Sequence, residues 1–489
     1  MLIKRVISDI KTIFYYTGRL TSSFSFIFLI PFMIALVMGE YAESVNFIIG
    51  FSLCIICGYI FIFLGKKQEI TWIVGMIVVS FSWFVLMFVV AIPLYLSGHF
   101  SSYLDACFDA MSGLATVGLS IINDLDHLSY SMNMWRLLIP YVAGQGIIVV
   151  ALVFLAATPG GYGMYLAEGR EDRILPNIAD TAKVIWIIAI VYFIIGVLLL
   201  FLIGLKEDFG IKMAFFHSIW LYMSAWATCG FSPQSSSMLF YYSPLIDLVT
   251  MVIFILGSIS FYLHYTVWTG KRFEIFRDIE IKTFIFTLFL SFSIVSFSLK
   301  NDYNGFLPFF WNCLYHTASA HATCGLGTTS IANLGEVSLI GLIIAMAIGA
   351  SGGSTGGGIK IIRIGIITKA LIQDIKALAF PTSAILQERF HHIRNIVLND
   401  RLVRSCTIII LSYLSIYLIG ALVGVFCGFT FLQSLFESVA AASGTGFSCG
   451  VTSSDMPNLM KVVYIFEMWA GRLEFISIFA IIGLFIGRR

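Results

Sequence analysis

Three stretches of this 489-residue chain close a semi-polar run on Thr-x-Gly: SGLATVGLS at 112–120, SAWATCGFS at 224–232 and SAHATCGLG at 319–327. A fourth, AASGTGFSCG at 441–450, carries Gly444, Thr445 and Gly446 in the comparable place. These residue types suit the replacement of water around a cation. A bare charge in a low-dielectric medium costs on the order of tens of kcal/mol, so a permeating ion needs a dense set of oxygens. Backbone carbonyls supply them where consecutive peptides turn the same way, and glycine takes the required φ/ψ without a Cβ clash. Threonine adds a hydroxyl to its carbonyl. Ten residues before Gly118, Gly230, Gly325 and Gly446 stand Phe108, Trp220, Tyr315 and Phe436, an aromatic each time. That recurrence marks an internal repeat.

The elements that must hold these loops are membrane helices. The chain is 59% hydrophobic and 11% charged, against about 25% charged residues in a soluble domain. Apolar runs long enough to cross roughly 30 Å of hydrocarbon recur throughout. They predict spans at 24–41, 46–65, 71–97, 133–157, 184–205, 244–269, 283–299, 337–362, 402–428 and 459–487. The fold class expected is an all-α polytopic membrane protein of four pseudo-symmetric span, pore loop, span repeats. Two extra spanning helices precede them. The divisions fall at 1–70, 71–182, 183–282, 283–400 and 401–489.

Each repeat contains a half-length helix that dips in and returns on the same side. Non-helical backbone at that depth is tolerated only where protein buries it or a water-filled cavity receives it. Four dips therefore imply one central cavity. The half-helices would aim carbonyl ends at it, and the helix dipole there favours a cation.

Basic residues cluster on alternate connections: Lys4, Arg5, Lys11 and Arg19; Lys66 and Lys67; Arg170, Arg173 and Lys183; Lys271, Arg272, Arg277 and Lys282; the 360–404 segment; Arg488 and Arg489. By the positive-inside rule these face the cytoplasm, together with both termini. The four loops then open outward.

Two further motifs lie within predicted spans. The string AIGASGGSTGGGIKIIR at 347–363 places six glycines in the second half of its span. Glycine costs about 1 kcal/mol relative to alanine inside a helix, so the string loosens or breaks it. Close small-residue packing is the milder reading. A phosphate-binding loop is not, because Ile359 separates Gly358 from Lys360. Arg472, within MWAGRLEF at 468–475, is a charge inside a span and hence a functional candidate, with an ion pair to Glu474 or Glu467 as the structural alternative. Arg136 reads as an interface or pore-helix anchor. Asp109, His316 and Glu437, nine residues before their loop glycines, read as braces for the half-helices, while His321 and Trp226 read as packing residues. Cys54 and Cys57 lie in an apolar run and read as lipid-embedded helix, not as a metal site.

The four loops, the glycine string and MWAGRLEF together resemble the Trk/Ktr/HKT superfamily of potassium transporters, over about residues 71–487, with the first two spans similar to the extra N-terminal pair of its TrkH/KtrB-type pore subunits. The resemblance implies a selectivity filter built from Thr116, Val117, Gly118, Thr228, Cys229, Gly230, Thr323, Cys324, Gly325, Gly444, Thr445 and Gly446. It implies a gate made by Gly349, Gly352, Gly353, Ser354, Thr355, Gly356, Gly357, Gly358 and Lys360, with Arg472 facing the pore. The fourth triplet departs from the pattern, since alignment on Gly446 sets Gly444 where threonine is usual.

The expected function is gated potassium uptake across the cytoplasmic membrane. K+ is the transported ion, and no cofactor or nucleic acid is involved. Expected partners are the lipid bilayer, a second copy of the chain in a homodimer, and a cytosolic nucleotide-binding regulatory subunit of the RCK type docked on the basic 363–404 segment. Sodium or non-selective transport by the same fold is the alternative. A membrane enzyme built on His217 and Ser218 lacks any supporting catalytic motif. A carrier with inverted repeats conflicts with four loops that enter from one side.

Overall fold

The computed structural model of the chain describes residues 2–122, 124–146, 178–300, 303–381 and 387–486. Helices dominate, as expected. The opening pair is α1 (Leu2–Phe24), carried through a 3-10 turn into α2 (Leu29–Met38), and α3 (Tyr41–Leu64). The first apolar span runs from Ser8 to Met38, so it begins well before the predicted 24. Polar residues conceal that start. Thr17, Thr21 and Ser25 on the helix are fully buried, and the Cys54 thiol of α3 donates to the Thr21 carbonyl. Gly18 and Gly58 let the two backbones touch, because a Cβ on Gly18 would lie 2.5 Å from the Gly58 oxygen.

Four repeats follow. Each opens on a long outer helix: α4 (Trp72–Leu96), α7 (Ile178–Lys206), α12 (Ile279–Leu299) and α16 (Asp400–Phe426). Each continues into a half-helix: α5 (Tyr103–Leu114), α8 (Ile211–Trp226), α13 (Phe306–His321) and α17 (Phe431–Ser443). The start of α5 is fixed by a capping box, in which Ser102 Oγ accepts from Asp105 N while Asp105 Oδ2 accepts from Ser102 N. The half-helices have 12, 16, 16 and 13 residues. At 1.5 Å per residue they reach at most about 24 Å, too short to span.

After each loop comes an inner helix: α6 (Tyr130–Gly144), α9 (Pro244–Ser258), α14 (Glu336–Ile348) and α18 (Asn458–Arg472). These too are short, at 15, 15, 13 and 15 residues. The glycine string does interrupt the predicted 337–362 span, which ends at Ile348, and the predicted continuous spans 244–269 and 459–487 are also broken, so all three bounds are corrected. Helix α9 gives way to α10 (Phe261–Trp268) through a 100° bend, and the one-turn α11 (Glu274–Arg277) follows. Ser260 Oγ caps the new helix by accepting from Tyr262 N. Helix α18 stops at Arg472, and α19 (Ile476–Ile486) begins beyond Glu474 and Phe475, both at positive φ. The remainder of the predicted 133–157 span lies largely outside the described residues.

Between α14 and the amphipathic α15 (Ile361–Leu378) runs the glycine-rich segment 349–360. A short antiparallel hairpin, β1 (Arg389–His392) and β2 (Arg394–Val397), precedes α16, with Arg389 opposite Val397. The circle of repeats closes between the fourth and the first. Lys461 Nζ of α18 is 2.6 Å from Asp105 Oδ1 of α5, both side chains buried. Trp469 Nε1 donates to the Ser80 carbonyl of α4.

Candidate functional site

All four half-helices end in the same way. The amides of Val117, Cys229, Cys324 and Thr445 donate to the carbonyls of Ser112, Ser224, Ser319 and Ala440, five residues back, at 2.7–3.0 Å. This is the bond of a Schellman ending, which requires the intervening residue to be left-handed. Thr116, Thr228 and Thr323 take φ of 55°, 49° and 53° there, and Gly444 takes 75°. A β-branched residue in that region is strained by roughly 1–2 kcal/mol. The fourth repeat thus places glycine, the unstrained choice, where three threonines are forced. The sequence alignment of Gly444 with those threonines is the one the backbone adopts.

The loops meet one another in order. A Cβ on Gly118 would lie 1.8 Å from Cys229 O, one on Gly230 2.2 Å from Cys324 O, and one on Gly325 2.3 Å from Gly446 N. One on Gly446 would lie 3.1 Å from Val117 O, completing the circuit. Ser112 Oγ and Ser319 Oγ accept from the amides of Gly118 and Gly325. The aromatics ten residues upstream, Phe108, Trp220, Tyr315 and Phe436, are all buried behind the loops. With carbonyl ends of four half-helices converging, the centre favours positive charge.

Asp109, His316 and Glu437 each clasp the chain beyond their own loop, which is the bracing role expected. Asp109 accepts from Ser120 Oγ, and Arg136 donates to both through Nε and Nη2 at 3.1 and 3.0 Å. The Arg136 guanidinium also lies 4.5 Å from the Phe231 ring centroid, tying the first loop to the second. His316 Nε2 meets Thr329, and Glu437 accepts from Ser448, Cys449 and Thr452. Removing Asp109 would strand a buried guanidinium, at a cost of about 3–5 kcal/mol. The Asp109→Ala variant is expected to unfold at clearly lower temperature in detergent, and Asp109→Leu combined with Arg136→Leu to recover much of the loss. Equal melting of Asp109→Ala and the parent would contradict the clasp. His321 and Trp226 pack, the former with Nε2 2.6 Å from Thr287 Oγ1 and the latter stacked on Tyr222.

The glycine-rich segment lies directly against the loop ends. The break after α9 exposes last-turn carbonyls that need donors, and this segment supplies them. Ser351 N donates to Ser258 O, while Thr355 donates to Gly257 O through both N and Oγ1. The single Thr355 hydroxyl proton is shared with Trp226 O at 2.9 Å, and Oγ1 lies 3.3 Å from Thr228 Oγ1. Gly357 N donates to Thr323 Oγ1, and a Cβ on Gly357 would lie 2.1 Å from Ser443 O. Gly349, Gly353 and Gly358 take positive φ, so the turns need glycine. Gly352 and Gly356 sit beside Glu280 and Thr323, Ser354 Oγ accepts from Gly356 N, and Lys360 Nζ donates to Gly356 O.

Arg472 completes the underside. Its Nη1 reaches Thr116 Oγ1 at 3.4 Å and Thr355 O at 3.3 Å, and Nη2 donates to Ala143 O at 2.8 Å. Glu474, one expected alternative partner for Arg472, is paired with Arg363 and lies 3.8 Å from Lys360. Glu467, the other, accepts from Ser438. A cavity between the segment and the fourth loop is lined by Gly356, Lys360, Gly444, Gly471 and Arg472. The sequence reading missed the dependence of this segment on the α9 break, for which Ser258-Ile259-Ser260 was the available signal. His217 and Ser218 form no catalytic pair with each other. His217 Nδ1 bonds Tyr241 and Ser218 bonds its own helix.

Long apolar helices surrounding four half-helices whose loops share one centre define an integral membrane transport protein. The family model TrkH, described as a cation transport protein, matches residues 43–300 and 310–483. The chain belongs to this family and is a cation transporter, not an enzyme. It is 32% identical to an uncharacterized cation transporter of Methanocaldococcus jannaschii, over 96% of this chain and 94% of that one. It is 27% identical to the Trk system potassium uptake protein TrkH of Vibrio parahaemolyticus, over 96% and 97% of the two chains. The crystal structure of that potassium transporter superposes with a TM-score of 0.83, covering 96% of this chain and 98% of the other.

Proposed function

We propose that this chain takes up potassium across the cytoplasmic membrane through one gated pore. The single filter consists of Thr116, Val117 and Gly118, Thr228, Cys229 and Gly230, Thr323, Cys324 and Gly325, and Gly444, Thr445 and Gly446. The observation that carries this reading is the closed circuit in which each loop glycine lies against backbone of a neighbouring loop. Potassium uptake proteins from Vibrio parahaemolyticus and Escherichia coli, 27% and 26% identical over nearly their whole lengths, support potassium as the ion. The gate is the 349–360 segment with Arg472. Its contacts with Thr116, Thr228, Thr323 and Ser443 support a plug lying across the inner mouth.

Both termini face the cytoplasm, and the repeats divide at 71–182, 183–282, 283–400 and 401–489. An interior potential of 100 mV then adds about 2.3 kcal/mol per ion in favour of entry. Two chains pair, and an RCK-type nucleotide-binding subunit docks on the 363–404 segment. On that segment, hydrogen bonding to Lys376 and attraction to Lys369 hold the Glu388 carboxyl below the usual carboxylate range.

One observation favours sodium or mixed transport as a second reading: Gly444 supplies no hydroxyl where three repeats supply one. Expression in bacteria lacking their own potassium uptake separates the two, with and without a candidate RCK subunit. Growth on low potassium is expected. A correctly inserted, subunit-supplied chain that fails to restore growth yet passes sodium into liposomes overturns the potassium assignment.

A further inference from the structure

Away from the pore loops, three buried side chains of different chemistry share one small volume. Asp278, Glu280 and His392 each offer a ligand atom, all within 4.8 Å of one another. Their exposures are 1%, 0% and 4%. Asp278 caps α12 by accepting from Glu280 N at 2.8 Å, which directs the start of that helix. His392 lies on β1, and its Nδ1 stands 3.1 Å from Asp278 Oδ2. Glu280 Oε1 accepts from Gly352 N at 2.7 Å, which ties the cluster to the glycine-rich segment. A cavity bounded by Tyr262, Thr266, Lys271, Glu274 and His391 reaches Asp278 and offers an entry path.

Two carboxylates brought this close out of water repel and lose hydration, and both costs are met by a multivalent cation. Two carboxylates plus one imidazole is a donor set for zinc or manganese, not for calcium or magnesium, which take oxygen ligands throughout. We infer that Asp278, Glu280 and His392 form a binding site for a divalent transition cation, which joins the cytoplasmic hairpin to the third outer helix and to the glycine-rich segment. Such an ion binds the arrangement seen here, with the segment seated against the loops, and so favours it by linkage. Ion binding therefore lowers transport. This last step rests on the transport reading above; the site itself does not.

The test uses the full-length chain in lipid nanodiscs, stripped with chelator and dialysed against Zn2+, with bound metal counted by elemental analysis. One zinc per chain above the His392→Ala and Asp278→Asn variants is expected, each variant losing at least nine-tenths of it. Because His392→Ala can loosen the hairpin, His392→Cys provides a second readout: it should take up one Cd2+ per chain with a thiolate-to-metal absorption band. Equal zinc in parent and variants, no zinc in the parent, or no cadmium band overturns the site. In liposomes, Zn2+ should reduce uptake by the parent several-fold and leave His392→Ala unchanged. Uptake by zinc-loaded parent equal to that of metal-free parent overturns the link to the segment, while the metal-free rate reports separately on transport itself.

Discussion

Replacing Gly118 with alanine is expected to abolish transport while leaving the helices inserted. The added Cβ would lie 1.8 Å from the Cys229 oxygen and 2.8 Å from its carbonyl carbon, both backbone atoms of the neighbouring loop. No rotamer relieves such a clash, and φ at Gly118 is +93°, a region side-chain-bearing residues rarely adopt. The first and second loops must separate, and a displacement of about 1 Å is enough to break coordination that depends on fixed oxygens. Rescue of growth on low potassium should be lost, together with rubidium uptake in liposomes. Gly444→Ala supplies the contrast. Its Cβ meets nothing closer than Thr116 O at 3.7 Å, and its φ of +75° is near the values that three threonines already tolerate. That variant should keep most of its uptake. If both variants behave alike, the contact circuit among the loops does not govern permeation.

Those two glycines also show what the sequence could convey. Thr-x-Gly with an aromatic ten residues upstream located all four loops, because a Schellman ending and its buried aromatic anchor are local devices spaced along one half-helix. The displaced fourth triplet was readable for the same reason: the left-handed position is one residue wide, and either Gly444 or a strained threonine occupies it. The glycine string pointed to a loosened or broken helix in the second half of 337–362, because six glycines at about 1 kcal/mol each weaken it there, but it did not mark Ile348 as the end. What stayed hidden is long-range or directional. Hydropathy measures partitioning and is blind to chain direction, so Ile259 between two serines looked like continuous span where the helix turns by 100°. Arg363 and Glu474 are separated by 111 residues, and nothing local indicates that they pair. Thr355 reads as a small polar residue within glycines until the carbonyls of Trp226 and Gly257 stand opposite it.

These hidden contacts give the underside of the loops its energetics. The segment is held by hydrogen bonds from Thr355, Ser351 and Gly357 to groups that the breaks in α9 and the ends of the half-helices leave exposed. Each such bond contributes about 1 kcal/mol net, and the buried Ala350 and Ile359 side chains add apolar contact.

Arg472 is the fixed charge in this seat, and neutralising it should raise cation flux by roughly 100-fold or more. A cation at the inner ends of the loop threonines would stand about 5 Å from a guanidinium that reaches Thr116 Oγ1, and at an effective dielectric of about 20 the repulsion is roughly 3 kcal/mol. Each 1.36 kcal/mol removed from a barrier is worth about tenfold in rate. The loss of the Nη1 bond to Thr355 O acts in the same direction, because it frees the segment from its seat. The two contributions separate by substitution. Arg472→Lys keeps the charge and gives up the forked hydrogen bonds, so flux close to the parent assigns the barrier to charge. Flux as high as in Arg472→Gln assigns it instead to the hold on Thr355. Uptake in liposomes measured for the parent and both variants decides this, with insertion checked by monodispersity. A folded Arg472→Gln that conducts no faster than the parent would place the barrier elsewhere, in the glycine-rich segment alone.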